Sequence, residues 1–293
     1  MAAKDVTQLP LIAIVGPTAS GKTGLAIKLA KQYGGEIICA DSRTIYKDMN
    51  IGTAKPTAAE QALVPHWGLD LVAPGERFTA VDFKRYAEQK IDEIRSRGHI
   101  PFLVGGTGLY IDAVLFNYQF GGDVDAERRA TLENMTLEEL HKYCRTNNIL
   151  LPENHLNKRY VIRAIERVGQ TTSRNSEPIS TSIIVGIATE KEILQSRIVG
   201  RIEQLFDDGV VAEASMLGKK YGWDSAAMTG NIYPLIHEYL EQRLSYKDLV
   251  EKSATIDWRL AKRQLTWLRR NPFIQWFSLP NAERYLSERL ASE

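Results

Sequence analysis

The stretch Leu11–Thr23, LIAIVGPTASGKT, decides the fold. Leu11, Ile12, Ala13, Ile14 and Val15 run without a polar interruption, the pattern of a parallel strand buried on both faces. Residues 16–23 then follow the phosphate-loop spacing, a glycine, four residues and Gly-Lys-Thr. Gly16 and Gly21 allow the backbone to wrap closely round a phosphate, with a run of N–H groups turned toward its oxygens. A helix predicted over 23–33, amphipathic through Leu25, Ala26, Leu29 and Ala30, adds its N-terminal dipole. Lys22 brings a mobile positive charge and the Thr23 hydroxyl suits Mg²⁺. A di- or triphosphate site follows from strand, loop and helix together.

Working outward, Glu36–Ala40 reads as a second strand, and Asp41-Ser42-Arg43 follows at its C-terminal end. In an open parallel sheet that edge binds ligands, which sets Asp41 beside the phosphate loop, although an Asp there also serves as an ordinary helix cap. Residues 46–56 and 65–76 lack periodicity and read as loops. A helix is expected over 79–97, striped by Val81, Phe83, Tyr86, Ala87, Ile91 and Ile94. Ile100–Val104 reads as a strand entering Gly105-Gly106-Thr107-Gly108. Many phosphate-loop ATPases carry an Asp at the end of such a strand to organise Mg²⁺, and here that place holds Gly105. The glycines suggest a second close approach of backbone to ligand, or else a tight turn packed on its neighbour.

Residues 119–178 change character. Helical patterns run over about 126–147 and 157–168, and nine basic residues between 121 and 180 balance nine acidic ones, so the segment is no simple basic arm. Residues 183–188 return to strand character and are expected to form the last central strand. A long helix from about Glu190 carries Arg197 and Arg201, four apart on one face; they reach bound phosphates or form a solvated face. From 255 to 275, Arg259, Lys262, Arg263, Arg269 and Arg270 stand against the single acid Asp257, with Trp258 and Trp267 interleaved and Trp276 just beyond. That composition suits an RNA backbone with a stacked base, or a solvated face over core tryptophans. A short helix over 281–290 ends the chain.

The expected fold is therefore α/β, a P-loop NTPase-like parallel sheet flanked by helices with a mostly helical insertion. Residues 1–118 make the first part of the core, 119–180 the insertion, and 181–293 the rest of the core with basic helices. With 44% apolar and 25% charged residues, the composition is that of a soluble globular protein, and the formal charge of +1 requires any nucleic-acid contact to be local. Cys39 and Cys144, the only cysteines, are too few for a zinc site or a disulfide framework. No apolar run approaches spanning length and the first residues lack a signal-peptide core, so a cytoplasmic protein is expected. Nothing requires an oligomer, and a monomer is expected.

Taken in order, GPTASGKT (16–23), DSRTIYKDMNIGTAKP (41–56), HWGLD (66–70), LVGGTGLYI (103–111), RYVIRAIERV (159–168), RIVGRI (197–202) and AKRQLTWLR (261–269) resemble the tRNA dimethylallyltransferases. The resemblance covers residues 11 to about 278. It implies transfer of a dimethylallyl group from dimethylallyl diphosphate to N6 of adenosine 37, next to the anticodon, with Mg²⁺ and with tRNA as partner through its anticodon stem-loop. By the same resemblance Asp41 takes the amine proton. Gly16, Thr18, Ala19, Ser20, Gly21, Lys22, Thr23, Arg197 and Arg201 hold diphosphate, with Thr23 on the metal and Arg201 and Thr23 catalytic. Ser42, Arg43, Thr44, Thr53, Ala54, Lys55, Thr107, Tyr110, Arg159, Arg163, Lys262, Arg263, Gln264 and Arg269 meet the acceptor or its tRNA. Departures fall on the acceptor side: Thr44 for Gln, His66-Trp67 for a His pair, Leu156-Asn157 for Asn-Asp, Gly230-Asn231-Ile232-Tyr233 for Gly-Tyr-Lys-Glu, and Asp257-Trp258 for Thr-Arg. A free adenine nucleotide as acceptor is the alternative. The loop alone would also fit a phosphotransferase, and the altered acceptor side a non-catalytic RNA-binding relative.

Overall fold

The computed structural model describes residues 9–121, 126–169, 172–230 and 232–291; Asn231 and the first eight residues lie outside them. In chain order the elements are β1 (Leu11–Val15), α1 (Lys22–Tyr33), β2 (Gly35–Ala40), α2 (Ala58–Leu63), β3 (His66–Trp67), α3 (Ala80–Ser96), β4 (Ile100–Gly105) and α4 (Gly108–Leu115). They continue as α5 (Ala126–Asn134), α6 (Leu137–Thr146), α7 (Lys158–Glu166), β5 (Ser182–Ile187), α8 (Lys191–Asp207) and α9 (Val210–Tyr221). The chain closes with α10 (Tyr233–Leu240), α11 (Tyr246–Leu268), β6 (Gln275–Phe277) and α12 (Leu279–Ala291).

Six strands form one sheet in the order β3-β2-β4-β1-β5-β6, every pairing parallel. β1 lies between β4 and β5, and all five of its side chains are fully buried. Burial at this level stabilises by roughly 1.5–3 kcal/mol for each large aliphatic chain. Leu25, Leu29 and Ala30 of α1 and Ala282, Leu286 and Leu290 of α12 cover one face with the sheet's Ile12, Ile14, Phe102, Val185 and Ile187. A second core joins Ile45, Tyr46 and Met49 to α8, α9 and α10 through Phe206, Leu217, Tyr233 and Ile236.

The chain divides into two compact units, Met1–Phe116 with Glu177–Glu293, and Asn117–Ser176. The second unit has its own small core of Leu132, Leu140, Cys144, Val161, Ile162 and Ile165. The pattern expected as one helix over 126–147 is two. Thr136 caps α6 by accepting from Glu139 N while Glu139 reaches back to Thr136 N, a capping box that ends one helix and starts the next. The sheet has two short edge strands that no periodicity announced. β5 is the last central strand, as expected, but the sheet continues past it, because Trp276, read with the basic segment, lies in the edge strand β6. His66-Trp67 is not loop but the edge strand β3, pairing with Ile37 and Ile38.

Candidate active site

The C-terminal ends of neighbouring strands converge on one edge, where the phosphate loop follows β1, Asp41 follows β2, and Gly106-Thr107 follows β4. Within the loop, Ala19 (φ 60°) and Gly21 (φ 90°) take left-handed conformations on either side of Ser20. Such alternation turns N–H groups to one side as an anion nest does, but Thr18 N and Ser20 N are not among its free donors, since they donate to Gln264 Oε1 and Pro17 O. Beside it lies a cavity of about 550 Å³ lined by Thr18, Lys22, Thr23, Asp41, Arg43, Thr44, Thr107, Arg201 and Arg263 among others.

The walls of this cavity carry charges of both signs. Lys22 donates to Pro17 O at 3.1 Å, and burial lowers its ammonium to about 8, with Asp41 opposing that shift and Arg201 adding to it. Arg201 Nη1 donates to Thr18 Oγ1, and Arg201 Nη2 stands 3.6 Å from Asp257 Oδ2. Asp41 Oδ1 accepts from Arg43 N at 2.8 Å, which fixes the carboxylate's direction. Thr107 Oγ1 accepts from Ser42 N at 3.1 Å and ties the ends of β2 and β4 together. Lys22, Arg43, Arg201 and Arg263 against Asp41 leave an excess of positive charge, suited to a multiply charged anion. Cys39 also lines the cavity, but burial, with help from Asp41 and against Lys22, pushes its thiol up to about 12, so it stays protonated.

The glycines after β4 serve the protein's own packing. A Cβ at Gly105 would land on Ala40 O, one at Gly106 on the Gln264 amide, and one at Gly108 on the Trp267 indole. The close approach expected for a ligand is thus made by β2 and α11. Gln264 Oε1 accepts from Thr18 N at 2.8 Å, and Trp267 Nε1 donates to Asp112 Oδ2 at 2.6 Å. The motifs Gly105–Gly108 and Gln264–Trp267 therefore interlock, and α11 becomes a wall of the phosphate site.

Other residues expected at the site fall in several places. Ser42, Thr44, Thr53, Ala54 and Gln264 line the cavity, and the buried Thr44 Oγ1 has no partner. Ser20, also buried, underlies Gly16, where a Cβ would approach its hydroxyl. Arg197 reaches the loop from outside, donating to Ser20 O at 3.4 Å. Lys55 is not available to a substrate. It is buried and donates to Tyr46 O, Asn50 Oδ1 and Asp70 Oδ1, using all three ammonium protons to fasten the loop. Tyr110 is also internal, stacked on Phe83 with ring centroids 4.2 Å apart. Lys262 and Arg269 are exposed on or just after α11, with Lys262 over the Trp258 ring. In the unit of residues 117–176, Arg159 is exposed and Arg163 half-buried; burial and the neighbouring Arg167, Arg159 and Arg129 disfavour the Arg163 charge, against Glu166. Trp67 is not an acceptor-side residue either, since its indole donates to Glu36 Oε2 at 2.6 Å at the opposite end of β2 from Asp41.

Nothing in the local sequence marks Glu213. Its buried carboxylate accepts from the N–H groups of Asn50, Ile51 and Gly52 and from the Tyr233 hydroxyl, clamping the loop that forms one rim of the cavity. A lone acid on an amphipathic helix carries no local signal of such a role.

Comparison with known proteins accords with this geometry. A family model described as IPP transferase matches residues 44–271, and one described as isopentenyl transferase matches residues 9–64. The tRNA dimethylallyltransferases of Bacillus cereus (strain B4264) and Bacillus anthracis (strain A0248) are each 37% identical over 295 residues, 96% of this chain and 93% of theirs. The solved tRNA isopentenylpyrophosphate transferase of Bacillus halodurans superposes with a TM-score of 0.73 at 34% identity, covering 97% of both chains. The corresponding enzyme of Staphylococcus epidermidis gives 0.72 at 32% identity, covering 97% of this chain and 99% of that one. With a family model over residues 44–271 and relatives 37% identical across 96% of its length, the chain belongs to the tRNA dimethylallyltransferase family.

Proposed function

We propose that the chain transfers a dimethylallyl group from dimethylallyl diphosphate to N6 of adenosine 37 in tRNA. The observation that carries this reading is one cavity lined together by Lys22, Thr23, Arg201 and Asp41. In the reaction N6 forms a bond to C1 of the allyl group, the C1–O bond breaks, and diphosphate leaves with the bonding electrons. Lys22, Arg201 and those loop N–H groups not engaged within the protein, as Thr18 N is with Gln264 and Ser20 N with Pro17 O, hold the charge that develops on the leaving oxygens, where fixed donors act most strongly. Asp41, aimed by Arg43 N, takes the N6 proton as the new bond forms. The adenine must leave its stack to enter the cavity, at a cost of a few kcal/mol that contacts to the flanking loop offset.

Thr23, lining the cavity at the start of α1, is the residue placed to hold Mg²⁺. Among the described residues no group of three or more His, Cys, Asp or Glu could bind a metal alone. That suits a magnesium ion whose remaining ligands are phosphate oxygens and water. Bound there, it would neutralise diphosphate charge and make it a better leaving group. The bar to any side chain at Gly105 removes the carboxylate on which many phosphate-loop ATPases rely, and so favours a prenyl diphosphate over ATP.

Two basic surfaces support an RNA acceptor. One is the exposed run Lys262, Arg263, Arg269 and Arg270. The other, in the Asn117–Ser176 unit, sets Arg159, Arg163 and Arg167 near one another, while Arg129 is already paired with Glu133 and Glu166, and an anticodon stem-loop phosphate would relieve the repulsion among the three. Among the described residues no helix is long and apolar enough to cross a membrane. The deciding experiment supplies the protein with Mg²⁺, dimethylallyl diphosphate and either unmodified tRNA or AMP. N6-prenyladenosine in the tRNA is expected, and product on AMP alone would overturn the assignment. Asp41→Ala should lower turnover while diphosphate still binds.

A further inference from the structure

Behind the phosphate loop, α8 and α11 pack through Leu194, Ile198 and Ala261, with Ala19 of the loop against them. Two charges sit in this apolar seam, Arg201 from α8 and Asp257 from α11, the latter 6% exposed. Their pairing is incomplete. Arg201 Nη2 and Asp257 Oδ2 are 3.6 Å apart, beyond a hydrogen bond, and both Arg201 Nε and Asp257 Oδ2 are buried without a hydrogen-bond partner. Arg201 Nη1 meanwhile rests on Thr18 Oγ1 at the mouth of the anion nest. One guanidinium thus stands between a buried carboxylate and the place where phosphate oxygens would lie.

We propose that Asp257 is a positioning residue that competes with the donor diphosphate for Arg201, so that donor binding is coupled to proton uptake by Asp257. The inference rests on the reading of the cavity as a diphosphate site. A buried carboxylate tolerates its charge only beside a cation. When a multiply charged diphosphate draws on Arg201, that compensation weakens and a second anion arrives nearby, and both changes favour the protonated acid. The groups facing Asp257 are Arg201 on α8 and, across the site, Asp41 after β2; one helical turn away on α11 lie only Ser253, Ala254, Leu260 and Ala261. Burial, and secondarily Asp41, already raise its carboxyl above the usual range, with Arg201 pulling the other way.

The test is calorimetric titration of the full chain with inorganic diphosphate and Mg²⁺ near pH 6.5, in two buffers of different ionisation enthalpy, the ligand's own protonation being measured separately. Lys22, at about 8, is already mostly charged there and contributes little. The unmutated chain should take up protons on binding, and Asp257→Asn should remove most of that uptake and bind about tenfold tighter, as loss of one competing charge predicts. Asp257→Ser, smaller than the native residue, should do the same. Weaker binding by both variants, or proton uptake unchanged by either, would overturn the proposal, as would an unmutated chain that binds diphosphate without taking up protons. Failure to bind diphosphate at all would instead overturn the site itself, and the proposal with it.

Discussion

Thr18 N donates to Gln264 Oε1 at 2.8 Å, a buried bond between residues 246 positions apart. It makes the phosphate loop depend on the same helix that presents Lys262 and Arg263. The loop's shape is therefore set partly from α11. Gln264→Leu would leave a buried N–H without an acceptor, a loss of about 1–3 kcal/mol. The expected result is a lower melting temperature together with weaker Mg²⁺–diphosphate binding. Gln264→Glu keeps an acceptor for Thr18 N but sets a negative charge beside the nest. It should preserve more of the stability and lose more of the affinity. Equal effects of the two on both measurements would argue against this role.

Glu213 makes a second long-range tie. With three backbone N–H groups and the Tyr233 hydroxyl on one buried carboxylate, Glu213→Ala strands four donors at once. The cost expected in urea denaturation is about 3 kcal/mol or more. Tyr233→Phe removes one of the four bonds and should cost about 1 kcal/mol. The order of the two variants is the check, because a surface role for Glu213 would make both neutral.

These two ties also show where sequence reading stops. The strand and loop at Leu11–Thr23, the place of Asp41 and the missing acid at Gly105 are written in local pattern, since each depends on residues within one element and its turn. β3 and β6 are two and three residues long, too short for any periodicity, and exist only because β2 and β5 offer open edges. The glycines at 105, 106 and 108 announce a close approach but not its partner, which lies in Ala40 and α11. Lys55 and Tyr110 have the composition of ligand groups, and only their partners reveal that they hold the protein together.

Gly105 allows a direct test of why the site lacks an acidic residue after β4. Its missing Cβ is the space taken by Ala40 O, a backbone atom that cannot rotate away. Gly105→Ala must push β4 from β2 or bend one of them, and overpacking of this kind costs about 1–3 kcal/mol or more. Gly105→Asp should be worse and should not acquire ATP hydrolysis. Circular dichroism melts give the order expected, unmutated, then Ala, then Asp. A stable Gly105→Asp protein that turns over ATP would show that the packing does not decide the cargo.

Lys22 sets the alkaline limit of donor binding. Burial lowers the ammonium to about 8 in the free protein, with Asp41 resisting and Arg201 assisting. A bound diphosphate favours the charged form, so the bound pKa lies above the free one. Below about pH 8 the ammonium is already present, and affinity does not depend on this proton. Above it, binding must first recruit a proton, and affinity falls toward a tenfold loss for each pH unit until the bound pKa is reached. Titrations of Mg²⁺–diphosphate across this range should show that limb in the unmutated chain. Lys22→Met should bind weakly and lose the limb, while Lys22→Arg, whose charge persists, should lose the limb with a smaller loss of affinity. Should the limb survive in Lys22→Met, the titrating group is another one, and the low ammonium value has no part in binding.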